Sequence, residues 1–249
     1  MRAFAVFDGR VRILSSDTVN GVCVLRLEAP PQCLGAGPGQ YVLLRHDSGP
    51  FLPRPLSIVS DEGGLLIAAN LWGAGTAAIA KAAVGDTLNL TGPLGNTFTD
   101  TREALTMVTD LSHVGGVLAL AVARRRPDDV LMMVAAGGSE RRSLDRLCAL
   151  THVPHRLVSP DAVEDALVDC PARLAISVND DVAHAIQRFA AAYARPGEAL
   201  LHAMMACGLG ACHACVHPMR GGAPALVCDG PVFDLQAPDF THNNTVAAA

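Results

Sequence analysis

Four cysteines near the C-terminus constrain this chain more than any other feature. Cys207, Cys212, Cys215 and Cys228 stand as C-x4-C-x2-C-x12-C within the stretch Met205 to Asp234. In that spacing four thiolates hold a plant-type [2Fe–2S] cluster. Such a loop must be thin, because backbone amides approach the sulfurs to hydrogen-bond them and tune the potential. Ala206, Gly208, Gly210, Ala211 and Ala214 supply the small side chains. Other uses of four cysteines fit less well. A structural zinc site usually takes two short-spaced pairs, whereas Cys228 stands alone. Disulfides suit small secreted scaffolds. His213 and His217 lie inside the loop and read as solvent-facing or as neighbours of the ligands, since four thiols already suffice.

The rest of the composition frames that loop. With 249 residues the chain has room for two domains. Half its residues are apolar and 17% are charged, enough for a sizeable core and a face that meets a partner. A net charge of −5 gives no basic footprint, which argues against a nucleic-acid partner. The start, MRAFAVFDGRVRIL, lacks the pattern of a signal peptide, and no apolar run reaches the length of a membrane span. A cytoplasmic, reducing setting is therefore expected, and it suits thiolate ligands. Cys23, Cys33, Cys148 and Cys170 are scattered and read as small apolar residues. Only Trp72 supplies an indole.

Along the chain the pattern changes once. Up to about residue 98, short runs such as Val22–Leu27, Tyr41–Leu44 and Leu65–Leu71 alternate with Gly- and Pro-rich links, which predicts an antiparallel sandwich or barrel. A short helix is expected at Ala77–Ala83 and a last strand at Thr87–Leu90. From about residue 103, strands at Leu105–Val108, Val130–Ala135 and Arg173–Val178 alternate with helices at Val114–Arg125, Leu144–Leu150 and Asp181–Ala194. That order predicts a doubly wound parallel α/β sheet with right-handed crossovers. The expected units are 1–98, 103–198 and a cluster segment at 200–240, with a frayed tail over Thr241–Ala249.

Three further motifs bear on chemistry. Arg54-Pro55-Leu56-Ser57 puts a guanidinium fork, suited to a diphosphate, just before an expected strand at Ile58-Val59, with a hydroxyl three residues on. Gly73-Ala74-Gly75-Thr76 precedes a short helix and lets backbone amides approach an anion. Gly92-Pro93-Leu94-Gly95-Asn96 is a tight turn that matters as geometry.

Taken in order, R-P-L-S, G-x-G-T, G-P-L-G-N and the cysteine loop with its trailing D-G-P-V-F-D resemble the electron-transfer subunit of class 1B dihydroorotate dehydrogenase, within the ferredoxin–NADP reductase superfamily. The resemblance spans nearly the whole chain. It implies a FAD-binding β-barrel, an α/β nucleotide-binding domain and a C-terminal [2Fe–2S] segment. Carried over residue by residue, it implies that Arg54, Pro55, Leu56 and Ser57 contact FAD, with Arg54 at the diphosphate and Ser57 by the isoalloxazine. Ala68, Ala69, Asn70, Gly75 and Thr76 match further FAD contacts, and Cys207, Cys212, Cys215 and Cys228 match the cluster ligands.

The match breaks at the nucleotide motif. The family carries G-G-G-x-G-x-x-P after the first strand of its α/β domain, where glycines admit NAD phosphates to a helix N-terminus. Here Met107-Val108 is followed by TDLSHVGGVLAL, so Thr109, Asp110, Leu111 and His113 take the glycine positions and Gly116 the proline. Asp110 sets a carboxylate where a pyrophosphate would bind, and Leu111 blocks backbone approach. A later Cys-Gly-Pro that faces nicotinamide in the family is replaced by Ser177-Val178-Asn179-Asp180. The NAD site therefore reads as degenerate, and His113 as a helix-start or surface histidine.

The expected function is an oxidoreductase subunit that relays electrons through [2Fe–2S] and FAD. The electrons would come from a flavin-containing dihydroorotate dehydrogenase catalytic partner in pyrimidine biosynthesis and pass to an acceptor that need not be NAD. The competing readings are a reductase subunit of another oxidoreductase complex and a non-catalytic scaffold subunit whose cysteines hold zinc.

Overall fold

The computed structural model describes residues 6–19, 21–71 and 73–241. Trp72 and residues 242–249 of the expected tail lie outside the described residues.

Alternating inward side chains build the first half. Strands β1 (Phe7–Val19), β2 (Val22–Leu27), β3 (Tyr41–Arg45), β4 (Arg54–Ser60), β5 (Leu65–Asn70) and β6 (Thr87–Leu94) close an antiparallel barrel in the order β1-β2-β5-β4-β3-β6. The pairs Val11/Ile13, Leu25/Leu27, Leu65/Ile67 and Leu88/Leu90 repeat at period two and are buried inside it. Each such aliphatic contributes about 1.5–3 kcal/mol on burial. A register shift between Ile13 and Ser15 bends β1 so that it pairs with β6 at one end and β2 at the other. The polar residues that alternate along β1 hide this strand from a search for apolar runs. The Arg-Pro-Leu-Ser motif does not precede a strand; it opens β4 itself. The first short helix, α1 (Ala74–Ala80), begins earlier than expected and takes in Gly75 and Thr76.

The second half is a six-stranded sheet. Its strands are β7 (Leu105–Asp110), β8 (Val130–Val134), β9 (Arg156–Val158), β10 (Arg173–Ser177), β11 (Gly197–Leu200) and β14 (Val232–Asp234), ordered β14-β11-β10-β7-β8-β9. All pairings are parallel except β11 with β14. The expected cluster stretch 200–240 thus shares the sheet through β14 and forms a small hairpin of β12 (Val216–His217) and β13 (Ala225–Leu226).

Four helices complete this half: α2 (Val114–Arg124), α3 (Gly138–Thr151), α4 (Val163–Leu167) and α5 (Asp180–Ala192). Every residue of α2 from Val114 to Val122 is buried. A helix that is apolar on all sides needs cover all round, and α2 finds it between barrel strands β4 and β5 and sheet strands β7 and β10. Order reverses between β7 and β10, so the carboxyl ends of these two strands form the crevice where this architecture usually takes its ligand. Among the described residues no helix is long and apolar enough to cross a membrane.

Candidate functional site

The cysteine loop brings its four thiols together in two couples. Cys207 lies close enough to Cys212, and Cys228 to Cys215, for each neighbour to shift the proton affinity of its thiol. The Leu209 amide donates to Cys207 Sγ at 3.4 Å, and the Gly210 amide to Cys228 Sγ at 3.2 Å. Gly208 and Gly210 hold positive φ, which lets the loop turn these amides inward. The amide of Leu209, helped by Cys212, lowers the Cys207 thiol to about 6. Burial first, then Cys215, pushes Cys228 up to about 11. The couples also differ in setting: Cys212 is exposed and Cys207 half-buried, whereas Cys215 and Cys228 are buried. Among the described residues, no three His, Cys, Asp or Glu side chains gather as a single-ion site. Two thiol couples under inward amides fit a two-iron cluster.

The loop is docked on the barrel by residues that its spacing did not reveal. Tyr41, buried on β3, donates its hydroxyl to the Cys228 carbonyl at 3.0 Å and shares it with the Gly208 carbonyl at 3.3 Å. Asn96 exchanges two bonds with Val232: its Nδ2 donates to the Val232 carbonyl at 2.7 Å, and the Val232 amide donates to its Oδ1 at 2.9 Å. The G-P-L-G-N turn therefore clasps the D-G-P-V-F-D tail, a purpose visible only when both are in place. Of the two positions expected for His217, solvent-facing or neighbouring the ligands, the first does not hold. His217 is buried against Phe240, because β12 turns its side chain into the core. His213 is exposed, as expected.

The residues expected to hold FAD converge on one end of the barrel. Strand β4 pairs with β5 at Ile58/Ile67 and Ser60/Leu66, and Ser57 and the Ala68 carbonyl both lie against Gly115. A Cβ on Gly75 would sit 2.2 Å from Arg54 Nε, so the guanidinium lies directly against the first turn of α1. There Thr76 Oγ1 donates to the Gly73 carbonyl at 3.2 Å. Arg54 Nη1 donates to the carbonyls of Leu52 and Pro53, and among the described residues no carboxylate pairs with it. A half-buried, uncompensated guanidinium beside a glycine cradle fits a diphosphate. Ser57 abuts Gly115 at the start of α2, where a Cβ would meet it at 2.8 Å.

At the crevice between β7 and β10 the side chains bond to one another. Asp110 is only 5% exposed, and one carboxylate oxygen accepts from the His113 amide at 3.0 Å and His113 Nδ1 at 2.8 Å. Its other oxygen accepts from the Asn179 amide at 2.7 Å and Asn179 Nδ2 at 3.0 Å. Burial alone would raise this carboxyl, but the bonds from His113 and Asn179 outweigh it and hold it below its ordinary value. His113 stands at the start of α2, as its helix-start reading expected, and is in addition a partner of Asp110. Beyond it, the His202 ring meets His113 edge-on at 4.5 Å, and His202 Nε2 lies 2.9 Å from Ser177 Oγ. Asn70 Nδ2 donates to the Leu111 carbonyl at 2.5 Å, tying β5 to the altered segment. What space remains is a cavity of about 20 Å³ lined by His113, His202 and His217 among others. That is room for about one water molecule.

Comparisons with known proteins point the same way. A family model described as the iron–sulfur cluster binding domain of dihydroorotate dehydrogenase B matches residues 202–237. The cysteine segment is similar to that domain. A curated relative, the electron transfer subunit of dihydroorotate dehydrogenase B (NAD(+)) from Clostridium acetobutylicum, is 24% identical over 212 residues, covering 79% of this chain and 83% of the relative. Among solved structures, the NADH-dependent reduced ferredoxin–NADP oxidoreductase studied for flavin-based electron bifurcation superposes with a TM-score of 0.77 at 20% identity, over 98% of this chain and 93% of that one. A ferredoxin–NADP reductase from Neisseria gonorrhoeae with bound FAD and NADP gives 0.55 at 20% identity, over 74% and 91%. The chain resembles the electron-transfer subunit of class 1B dihydroorotate dehydrogenase in sequence and has the fold of the ferredoxin reductases. The expectations of an oxidoreductase subunit with FAD and a [2Fe–2S] cluster are supported by these likenesses.

Proposed function

We propose that this chain is the electron-transfer subunit of a dihydroorotate-oxidising complex in pyrimidine biosynthesis, and that its outlet is not NAD. Support for the first half is the two-couple thiol loop docked on a flavin-type barrel, within a segment that matches the dihydroorotate dehydrogenase B domain. When bound, FAD exchanges electrons in pairs or singly and a [2Fe–2S] cluster passes them one at a time. The chain's own part is to bind, orient and insulate. Cys207 and Cys212 would hold one iron and Cys215 and Cys228 the other, with the amides of Leu209 and Gly210 donating to sulfur. Arg54, set against Gly75 and Thr76, would take the diphosphate of FAD. Pro55, Leu56, Ser57, Ala68, Ala69 and Asn70 would line the ring system. A flavin-bearing catalytic subunit would supply electrons in the cytoplasm.

The second half is carried by the closed network of Asp110, His113 and Asn179. An anionic carboxylate, held ionised by four hydrogen bonds, occupies the strand end where a pyrophosphate would need donors. Anaerobic titration of the reconstituted protein with NADH tests this: the flavin absorbance should persist. Bleaching at stoichiometric NADH would restore the ordinary pyridine-nucleotide outlet. Metal analysis of the same sample should return iron with inorganic sulfide. Zinc in their place would favour the scaffold reading, and co-purification with a different oxidoreductase would name another partner.

A further inference from the structure

One side chain joins the two cofactor regions. Tyr41 pairs through its backbone with Ser57 across β3 and β4, and Ser57 stands at the barrel end read as the flavin site. From that position the phenol reaches away to the cysteine loop, where its hydroxyl meets two carbonyls from different halves. Cys228 belongs to the buried thiol couple, while Gly208 directly follows Cys207 of the outer couple. The loop fits closely around it. Cβ atoms on Gly95 would lie 3.0 Å from the Tyr41 ring and on Gly208 2.8 Å from Leu43, and both glycines have positive φ. Any larger residue at these two places would push loop and barrel apart.

We propose that Tyr41 is a positioning residue that sets both thiol couples of the cluster loop in fixed register with the flavin strand. This rests on the reading of the loop as a cluster site and of the barrel as a flavin site. A hydrogen bond to each half constrains orientation as well as distance. Leu43 packs against Gly208 and shares a buried cluster with Cys215 and Cys228, so it contributes contact without a directed bond. Both carbonyls lie on the buried face of the loop, so the staple leaves the outer couple open to a partner.

The test is Tyr41→Phe in the full chain, which keeps the ring and removes the hydroxyl, beside Leu43→Ala as a control for packing. In the apo protein, amide exchange of segments 207–212 and 226–230 should rise together in Tyr41→Phe. Leu43→Ala, which removes packing but no hydrogen bond, should raise exchange without moving the EPR spectrum of the reconstituted cluster. After reconstitution, Tyr41→Phe should release iron to a chelator about fivefold faster, the effect of losing roughly one net hydrogen bond on an opening equilibrium. The EPR g values and midpoint potential of its reduced cluster should also move. Exchange that is unchanged, or raised in one segment only, overturns the proposal. Raised exchange with an unshifted EPR spectrum and potential reduces Tyr41 to a packing residue and overturns it equally. If the wild-type chain takes up no iron and sulfide, the cluster reading fails on its own, and the apo exchange pattern still decides whether Tyr41 joins both halves.

Discussion

The cysteine loop and the crevice between β7 and β10 are both polar sites at the margin of the same sheet, yet they are built on opposite plans. In the loop, amides point at sulfurs, one thiol couple is open to solvent, and positive-φ glycines keep the backbone thin. In the crevice, carboxylate, imidazole and amide groups satisfy one another, and Asn70 ties the strand end to the barrel. A site that spends its hydrogen bonds internally has few left for a ligand. The contrast separates a place prepared to receive a group from one that has been closed.

That contrast can be broken at several points. The largest effect is expected from Cys228→Ser, which removes a buried ligand: iron content and the cluster's share of the visible absorbance should fall to background while the flavin band and the fold, read by circular dichroism, remain. Asp110→Ala removes a buried carboxylate that accepts four part-buried hydrogen bonds from His113 and Asn179, and should cost about 3 kcal/mol in chemical denaturation. If it costs nothing, the crevice is not self-satisfied and the contrast collapses. Asn96→Ala removes the two-bond clasp on Val232 and should cost about 2 kcal/mol, with the cluster lost faster on exposure to chelator.

The smallest effect is on pH dependence. Asp110 titrates below its ordinary value in the folded protein. Its contribution is therefore complete above the unfolded value, about 4. It disappears as pH falls through the folded one. Thermal melts should show this stability starting to decline below about pH 4, and Asp110→Ala should flatten that step.

Much of this was legible in the sequence, for reasons that differ by element. Cysteine spacing and small neighbours identify the loop because ligand geometry is local. The breaks at Asp110 and Leu111 are equally local, since one carboxylate in a glycine position changes what can bind. Tyr41 and Asn96 were not legible. Each meets partners more than a hundred residues away, and neither lies in a pattern that singles it out. His113 and His217 were read as peripheral because their burial depends on α5, β11 and the tail, which only the assembled fold brings near. The edge strand β14 was missed because three residues are too few to show a period.

That short strand has a consequence for how the protein is made. Residues 201–231 leave the sheet at the end of β11 and return to it at β14, which pairs antiparallel beside it. The cluster loop is therefore an excursion between two neighbouring strands, closed at its base by the Leu201 amide donating to the Pro231 carbonyl at 2.7 Å. Its entry and exit are secured by backbone pairing that involves no cysteine. The scaffold can thus fold before any iron arrives, which sets it apart from small metal domains that stay unfolded until the metal binds. Maturation becomes a late insertion into a finished frame, with the exposed Cys212 as the point of entry.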